Sequence, residues 1–226
     1  GAKGSYNTIS PSFASAAASP LSLFKFYAGE GGMRVPLIIA GPSVSKAGEI
    51  SHAFSFVTDI TPTLLSFAGV TAPSDRYRGR AVEPIIGKDL TPLIAGEVDR
   101  VYNETDSIGY ELAGHAALFQ GDYKLLFTRG ALGDGQWHLY DIVRDPGETH
   151  DLAEEQPARL QAMLSAYQRY ARENEVLEVP EGYSHTKQLL INVVYHQFKT
   201  PALIAMLTAL ISLPFWVAYR MKKRST

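Results

Sequence analysis

The stretch Leu23-Phe24-Lys25-Phe26-Tyr27-Ala28-Gly29-Glu30-Gly31-Gly32-Met33-Arg34-Val35-Pro36 constrains the fold of this chain more than any other. A lysine sits among aromatics, and an acidic residue, a double glycine, an arginine and a proline follow in order. Adjacent glycines mark a place where the backbone adopts a conformation, or approaches another backbone, that a side chain would forbid. Leu37-Ile38-Ile39-Ala40 is short, continuous and apolar, and Gly41-Pro42 ends it. That pattern predicts a strand covered on both faces. The whole reads as a glycine turn feeding a buried strand, with Lys25 held just ahead of the turn. Loops at strand ends in such sheets often carry the chemistry.

Most lysines lie on the surface, but Phe24, Phe26 and Tyr27 argue against full exposure of Lys25. An ammonium in a cleft is a compact positive charge with three donors, suited to an anionic tetrahedral oxygen group. Glu30 and Arg34 read as a pair that braces the turn.

Gly1 to Ser19 has neither helical nor strand period and is expected to be irregular. Phe54-Ser55-Phe56-Val57 suits a short strand. Asp59 or Thr61 then caps a helix with Pro62 in its first turn, and Leu64, Leu65 and Ala68 share a face that Gly69 ends. Capping is a simpler role for Asp59 than metal ligation. Val101 to Glu104 reads as another strand. Ala117-Leu118-Phe119 and Tyr123 to Phe127 form a predicted hairpin around Gln120-Gly121-Asp122. Trp137 to Val143 is a third strand, and Asp145-Pro146-Gly147 a turn. Pro157 to Asn174 carries Leu160, Met163, Leu164, Tyr167, Tyr170 and Ala171 at helical spacing, a stripe that packs on this sheet. His138 and His150 have no second ligand at metal spacing, so no metal ligand is assigned within the chain.

Pro201 to Tyr219 is uncharged, and Arg220, Lys222, Lys223 and Arg224 follow at once. At about 1.5 Å rise per residue the run comes near the roughly 30 Å of membrane hydrocarbon. Trp216 and Tyr219 sit where belt residues do, and the basic tail favours the cytoplasmic side. The expectation is a single-pass membrane protein with its globular part periplasmic or extracellular.

The chain has 226 residues, enough for one large domain or two small ones. A net charge of −2 gives no case for a nucleic-acid partner. With no cysteine, disulfides and thiolate metal sites are excluded within the chain.

Several segments, taken in order, resemble the sulfatases, and the arylsulfatases of the alkaline-phosphatase superfamily most. Lys25, Glu30, Gly31, Gly32, Arg34 and Pro36 form the family's K-x(4)-E-G-G-x-R-x-P. Asp59 to Val70 is similar to its D-I-x-P-T-L-L-x-x-A-G-V. Gly87 to Gly96 looks like its G-x-S-L-x-P-L-L-x-G, with Asp89 where serine is more usual. Phe119 to Leu125 is similar to R-x-G-D-W-K-L, and Trp137 to Ala153 fits W-x-L-Y-D-x-x-x-D-P-G-E-x-x-D-L-A throughout. The likeness runs from about Pro11 to Asn174.

This resemblance implies an α/β fold, the C-terminal part of an alkaline-phosphatase-like sulfatase. Residues 1–100 would belong to the catalytic α/β domain and 101–180 to a small antiparallel sheet plus helix subdomain. A juxtamembrane linker over 181–200, a transmembrane helix over 201–219 and a basic cytoplasmic tail over 220–226 would follow. The implied activity is hydrolysis of sulfate esters. Lys25 matches the family lysine that contacts the sulfate ester, a catalytic and substrate-binding group that stabilises charge on the sulfuryl and leaving oxygens.

The resemblance also implies a divalent metal, usually calcium, and a formylglycine nucleophile made from a C/S-x-P-x-R motif. The chain has no such motif, and its nearest trace, Glu155-Gln156-Pro157-Ala158-Arg159, places Glu at the nucleophile position. The family's metal-binding aspartates are not found either. Nucleophile and ligands are therefore expected upstream, in a longer polypeptide of which this is the C-terminal portion. A phosphatase or phosphonate hydrolase of the same superfamily, or an anchored binding module without catalysis, remain alternatives.

Overall fold

The computed structural model describes residues 9–224. The chain forms two compact units, Gly1–Val176 and Leu177–Thr226. Helices in the first are α1 (Pro11–Ala18), α2 (Glu30–Met33), α3 (Ile60–Phe67), α4 (Thr91–Ile94) and α5 (Pro157–Glu173). Strands β1 (Arg76–Tyr77) and β2 (Arg80–Ala81) form a small hairpin. Strands β3 (Ser107–Leu112), β4 (His115–Gln120), β5 (Tyr123–Phe127) and β6 (Trp137–Asp141) form an antiparallel meander in that order.

The meander organises the first unit. Its side chains alternate between faces, as the two-residue period of a strand requires. Across one face runs the register Gly109, Leu118, Leu125, Leu139. Those leucines are fully buried under Met163 and Ala166 of α5, with Leu160, Leu164 and Tyr167 around them. Gly109 opens the row because the Tyr170 ring occupies the place of its missing side chain: a Cβ there would lie 2.1 Å from a Tyr170 ring carbon. The predicted helix and its apolar stripe are thus observed, and so is the hairpin.

The other face carries Ala117, Phe119 and Leu126, packed with Ala28, Ile142, Met33 and Phe54. Its register row is Ile108, Phe119, Lys124, Tyr140. This face therefore buries the segment around the double glycine. Helix α3 ends as expected: Gly69 is left-handed at φ +64°, and Val70 N–H reaches back to the Leu65 carbonyl.

Some local expectations are corrected. Residues 11–18 are helical, not irregular, because Ser10 caps Phe13 N–H and Pro11 fits the first turn; residues 1–8 lie outside the described part. Leu37 to Ala40 is not a strand. The run has no regular structure and is exposed, Ile38 by 90%, and no strand among the described residues pairs with it. Phe54 to Val57 also forms no strand; Phe54 packs on the sheet while the chain enters a 3₁₀ turn at Val57–Asp59. Val101 to Glu104 is a bend, and the neighbouring strand β3, which was not expected, begins at Ser107.

The second unit is dominated by α6 (His185–Arg224), with Pro201 and Pro214 inside it. Residues 185–200 are helical together with the uncharged run. Lys187–Trp216 is long and apolar enough to cross a membrane, with a mean hydropathy of 1.5. Ser225 and Thr226, at the end of the expected basic tail, lie outside the described residues.

Candidate active site

The glycine pair sets the geometry. A Cβ on Gly31 would lie 2.4 Å from the Leu23 carbonyl oxygen, and one on Gly32 would lie 2.2 Å from that of Tyr27. Only glycines allow the 22–27 backbone to close over α2, and Gly31 N–H donates to the Ser22 carbonyl at 2.7 Å. The expected turn is therefore a loop folded onto a single helical turn. Leu23 and Phe26 take positive φ of 64° and 85° within it. Non-glycine residues held in that region are uncommon and cluster at functional sites.

Lys25 lies between these two residues. It is exposed, contrary to the shielding its aromatic neighbours suggested, with Nζ 5.5 Å from the centre of the Phe26 ring. Phe24 and Tyr27 instead pack against each other edge to face.

Beneath the loop, Glu30 is buried. Its carboxylate meets Arg34 Nε at 2.7 Å, so the two residues brace the turn as expected. Arg34 also donates to the Ile142 carbonyl at 3.2 Å, tying the turn to the end of β6. The other Glu30 oxygen meets Lys124 Nζ at 3.0 Å, and Lys124 lies 2.8 Å from a Glu148 oxygen. Glu148 closes the ring, its second oxygen accepting Glu30 N–H at 2.9 Å. Glu148 reaches this position at φ +54° after the Asp145-Pro146-Gly147 turn. Burial pushes its carboxyl above the usual glutamate range, and the Lys124 charge and hydrogen bond act against that rise.

Lys124 is completely buried, on a face where its neighbours are Phe119 and Tyr140. An ammonium there is tolerable only because two carboxylates pair with it, Glu30 through a hydrogen bond and Glu148 through its charge. Sequence reading assigned no role to Lys124 or Glu148. The available signal was the inward register of Lys124 between Tyr123 and Leu125, which demands an acidic partner.

Asp59 is fully buried, yet its side chain does not cap α3. It turns back, accepting Phe56 N–H at 2.7 Å and Lys88 N–H at 2.8 Å, with the Tyr102 hydroxyl as a third donor. Its oxygens are thus consumed in joining three segments. Among the described residues no group of three or more His, Asp or Glu side chains is placed to hold a metal ion. The described residues do not fit the metal implied by the resemblance.

A cleft of about 480 Å³ opens between Ser22 and Leu23 of the loop and the β5–β6 connection. His138 and Tyr140 line it from β6, and Leu132 and Asp134 from the connection. His138 Nδ1 is 2.7 Å from Asp151 and Nε2 is 3.0 Å from Asp134. His150 is separate, 2.8 Å from Glu155.

Residues 24–173 match the family model described as N-sulphoglucosamine sulphohydrolase, C-terminal. An uncharacterized sulfatase of Schizosaccharomyces pombe is 34% identical over 80% of this chain and 33% of its own length. N-acetylglucosamine-6-O-sulfatase of Bacteroides thetaiotaomicron is 31% identical over 53% of this chain and 21% of its own. Among solved structures, Ps i-CgsB in complex with k-i-k-neocarrahexaose shares the fold with a TM-score of 0.58. The identity there is 22%, over 76% of this chain and 36% of that one. The chain spans a third or less of the length of these curated relatives.

Proposed function

The chain belongs to the sulfatase family, by its C-terminal portion, and from that membership we propose that it serves a sulfuric ester hydrolase of the arylsulfatase type. The observation that carries the reading is the loop over α2. Its shape is fixed from below by the buried ring of Glu30, Lys124, Glu148 and Arg34, and it leaves Lys25 exposed at its crest. That arrangement supports a role for Lys25 at the sulfate.

In this reading the Lys25 ammonium contacts the sulfuryl oxygens and the leaving oxygen. Negative charge grows on the leaving oxygen as the S–O bond breaks, and a fixed cation stabilises it more in the transition state than in the ground state. The loop is held before substrate arrives, so little reorganisation accompanies the reaction. The nucleophile, a formylglycine, and the divalent metal, usually calcium, would belong to the part of the polypeptide that the relatives possess beyond the matched third.

The test is sulfate release by the full-length protein from 4-nitrophenyl sulfate and from a sulfated amino sugar, with the matching phosphate esters alongside. Sulfate release with little phosphate release supports the proposal. Preference for phosphate moves the assignment to the phosphatases of the superfamily, and no turnover of either favours a binding module. Helix α6 anchors the protein in the same reading, with the first unit on the outer side.

A further inference from the structure

We propose that Asp134, His138 and Asp151 form a proton-dependent latch on the wall of the cleft. The wall is the connection between β5 and β6, which contributes Ala131, Leu132, Gly133 and Asp134 to the cleft lining. His138 stands at the start of β6 and bonds to a carboxylate through each ring nitrogen. An ionised carboxylate only accepts, so both ring nitrogens must donate, and only the imidazolium does so. The neutral ring keeps one of the two bonds.

The bond that survives is set by the partners. Asp151 is held in place by Leu139 N–H at 3.0 Å and Ala153 N–H at 2.9 Å. Asp134 is an exposed loop residue whose other partner is Gln136 N–H, two residues away. Deprotonation of His138 therefore leaves the Asp151 bond and frees Asp134, and with it the wall.

The surroundings favour the protonated, closed form. Tyr140 stacks 6.2 Å from the His138 ring on the same strand. Glu148 and Asp145 in the turn after β6, with Asp134 and Asp151, add negative charge around Tyr140. The cations nearby are engaged elsewhere: Lys124, across from Tyr140, is held by Glu30 and Glu148, and Arg129 lies over the Phe127 ring. Burial pulls the His138 imidazole down, and the hydrogen bonds and charges of Asp134 and Asp151 outweigh it, so the ring holds its proton above the usual 6.5.

The experiment uses the full-length protein. Carbon-13 ring signals of histidine are followed against pH, His138 being assigned by its loss in His138→Gln. Hydrogen exchange of 129–136 is measured on both sides of its titration and corrected for the chemical exchange rate. His138 should titrate above 6.5, and protection of the wall should fall about tenfold or more as it does, the effect of one lost charge-assisted hydrogen bond. In Asp134→Asn, whose amide bonds to either form of the ring, that step should vanish. Titration at or below 6.5, equal protection on both sides, or an undiminished step in Asp134→Asn would each overturn the latch.

Discussion

Lys124 on β5 and Glu30 in the single turn of α2 form a buried ion pair, 3.0 Å apart across 94 positions of sequence. Through it the sheet dictates where the Lys25 loop stands. Glu148 shares the ammonium and ties back to the Glu30 backbone, so three residues from three elements fix one loop. Replacing Lys124 by Met leaves two carboxylates buried with their cation gone. The expected loss of stability is about 3–5 kcal/mol, the usual result of removing one member of a buried pair. Chemical denaturation of Lys124→Met checks this, and a loss under 1 kcal/mol would mean that water reaches the cluster.

The glycine pair acts on the same loop from the other side. In Gly32→Ala the new methyl meets the Tyr27 and Phe24 carbonyl oxygens, at 2.2 and 2.7 Å, and backbone cannot yield as a flexible side chain does. The loop must lift, at about 1–3 kcal/mol. Sulfate release by the full-length enzyme should fall with the loop, and a Gly48→Ala control, strained at its own φ of +81° but with nothing within 4 Å, should spare the Lys25 loop. A fully active Gly32→Ala enzyme would show that the closed loop is not required.

How much of this was legible in the sequence depends on how far apart the interacting residues lie. Glu30 and Arg34 are four apart, and their pairing could be read directly. The stripe from Leu160 to Ala171 and the hairpin around Gly121 are likewise local patterns. Lys124 and Glu148 could not be paired that way, because a strand's period tells which residues share a face but not what covers it. Leu37 to Ala40 shows the same limit from the other side. An apolar run becomes a strand only with a neighbour, and none pairs with it among the described residues. Strand β3 was missed because Gly109 and Glu111 interrupt its apolar pattern. Gly109 is there for the Tyr170 ring, and a glycine inside a strand is itself a sign of close approach.

Glu111 supplies a pH prediction. Burial raises its carboxyl above the usual 4.5, and hydrogen bonds from Tyr170 and Tyr167 only partly offset this. The folded state thus binds the proton more tightly than the unfolded chain does. Its contribution is full below pH 4.5 and is lost as pH rises through the folded value. Glu111→Gln cannot titrate, so the difference in Tm between variant and wild type should move in favour of the variant from pH 4 to pH 7. A difference that stays constant over that range would show that Glu111 keeps an ordinary affinity for its proton.

Lys25 is tested by kinetics and not by stability. Being exposed, it holds no packing together, so Lys25→Ala should leave Tm within about 1 °C, since surface changes are near neutral. In the full-length enzyme the same change should lower kcat by about 10²–10³, as loss of a preorganised charge donor does. Lys25→Arg keeps charge but changes shape, and should recover only part of the rate. Unchanged kcat in Lys25→Ala would move the sulfate contact to another residue.

Helix α6 carries the candidate membrane span. The uncharged run from Pro201 to Tyr219, which overlaps the candidate span Lys187–Trp216, comes near the roughly 30 Å of hydrocarbon at about 1.5 Å of rise per residue, and this leaves Lys187 and Lys199 beyond its N-terminal end. Pro214 lies toward its C-terminal end, where the freed carbonyl is close to the interface and a kink is easily accommodated. The Arg220 guanidinium lies 4.4 Å from the centre of the Trp216 ring, a pairing suited to the headgroup level, where the ring is half in lipid and the cation in water. Arg220, Lys222, Lys223 and Arg224 cluster on this side, against Lys187 and Lys199 on the other, so the positive-inside bias predicts a cytoplasmic C-terminus. A tag placed after Thr226 should therefore resist protease added outside intact cells or spheroplasts, while the first unit is digested. Extraction of the whole protein by alkaline carbonate would remove the anchor from this picture. A digested tag with a protected first unit would keep the anchor and reverse its direction, placing the sulfatase portion in the cytoplasm.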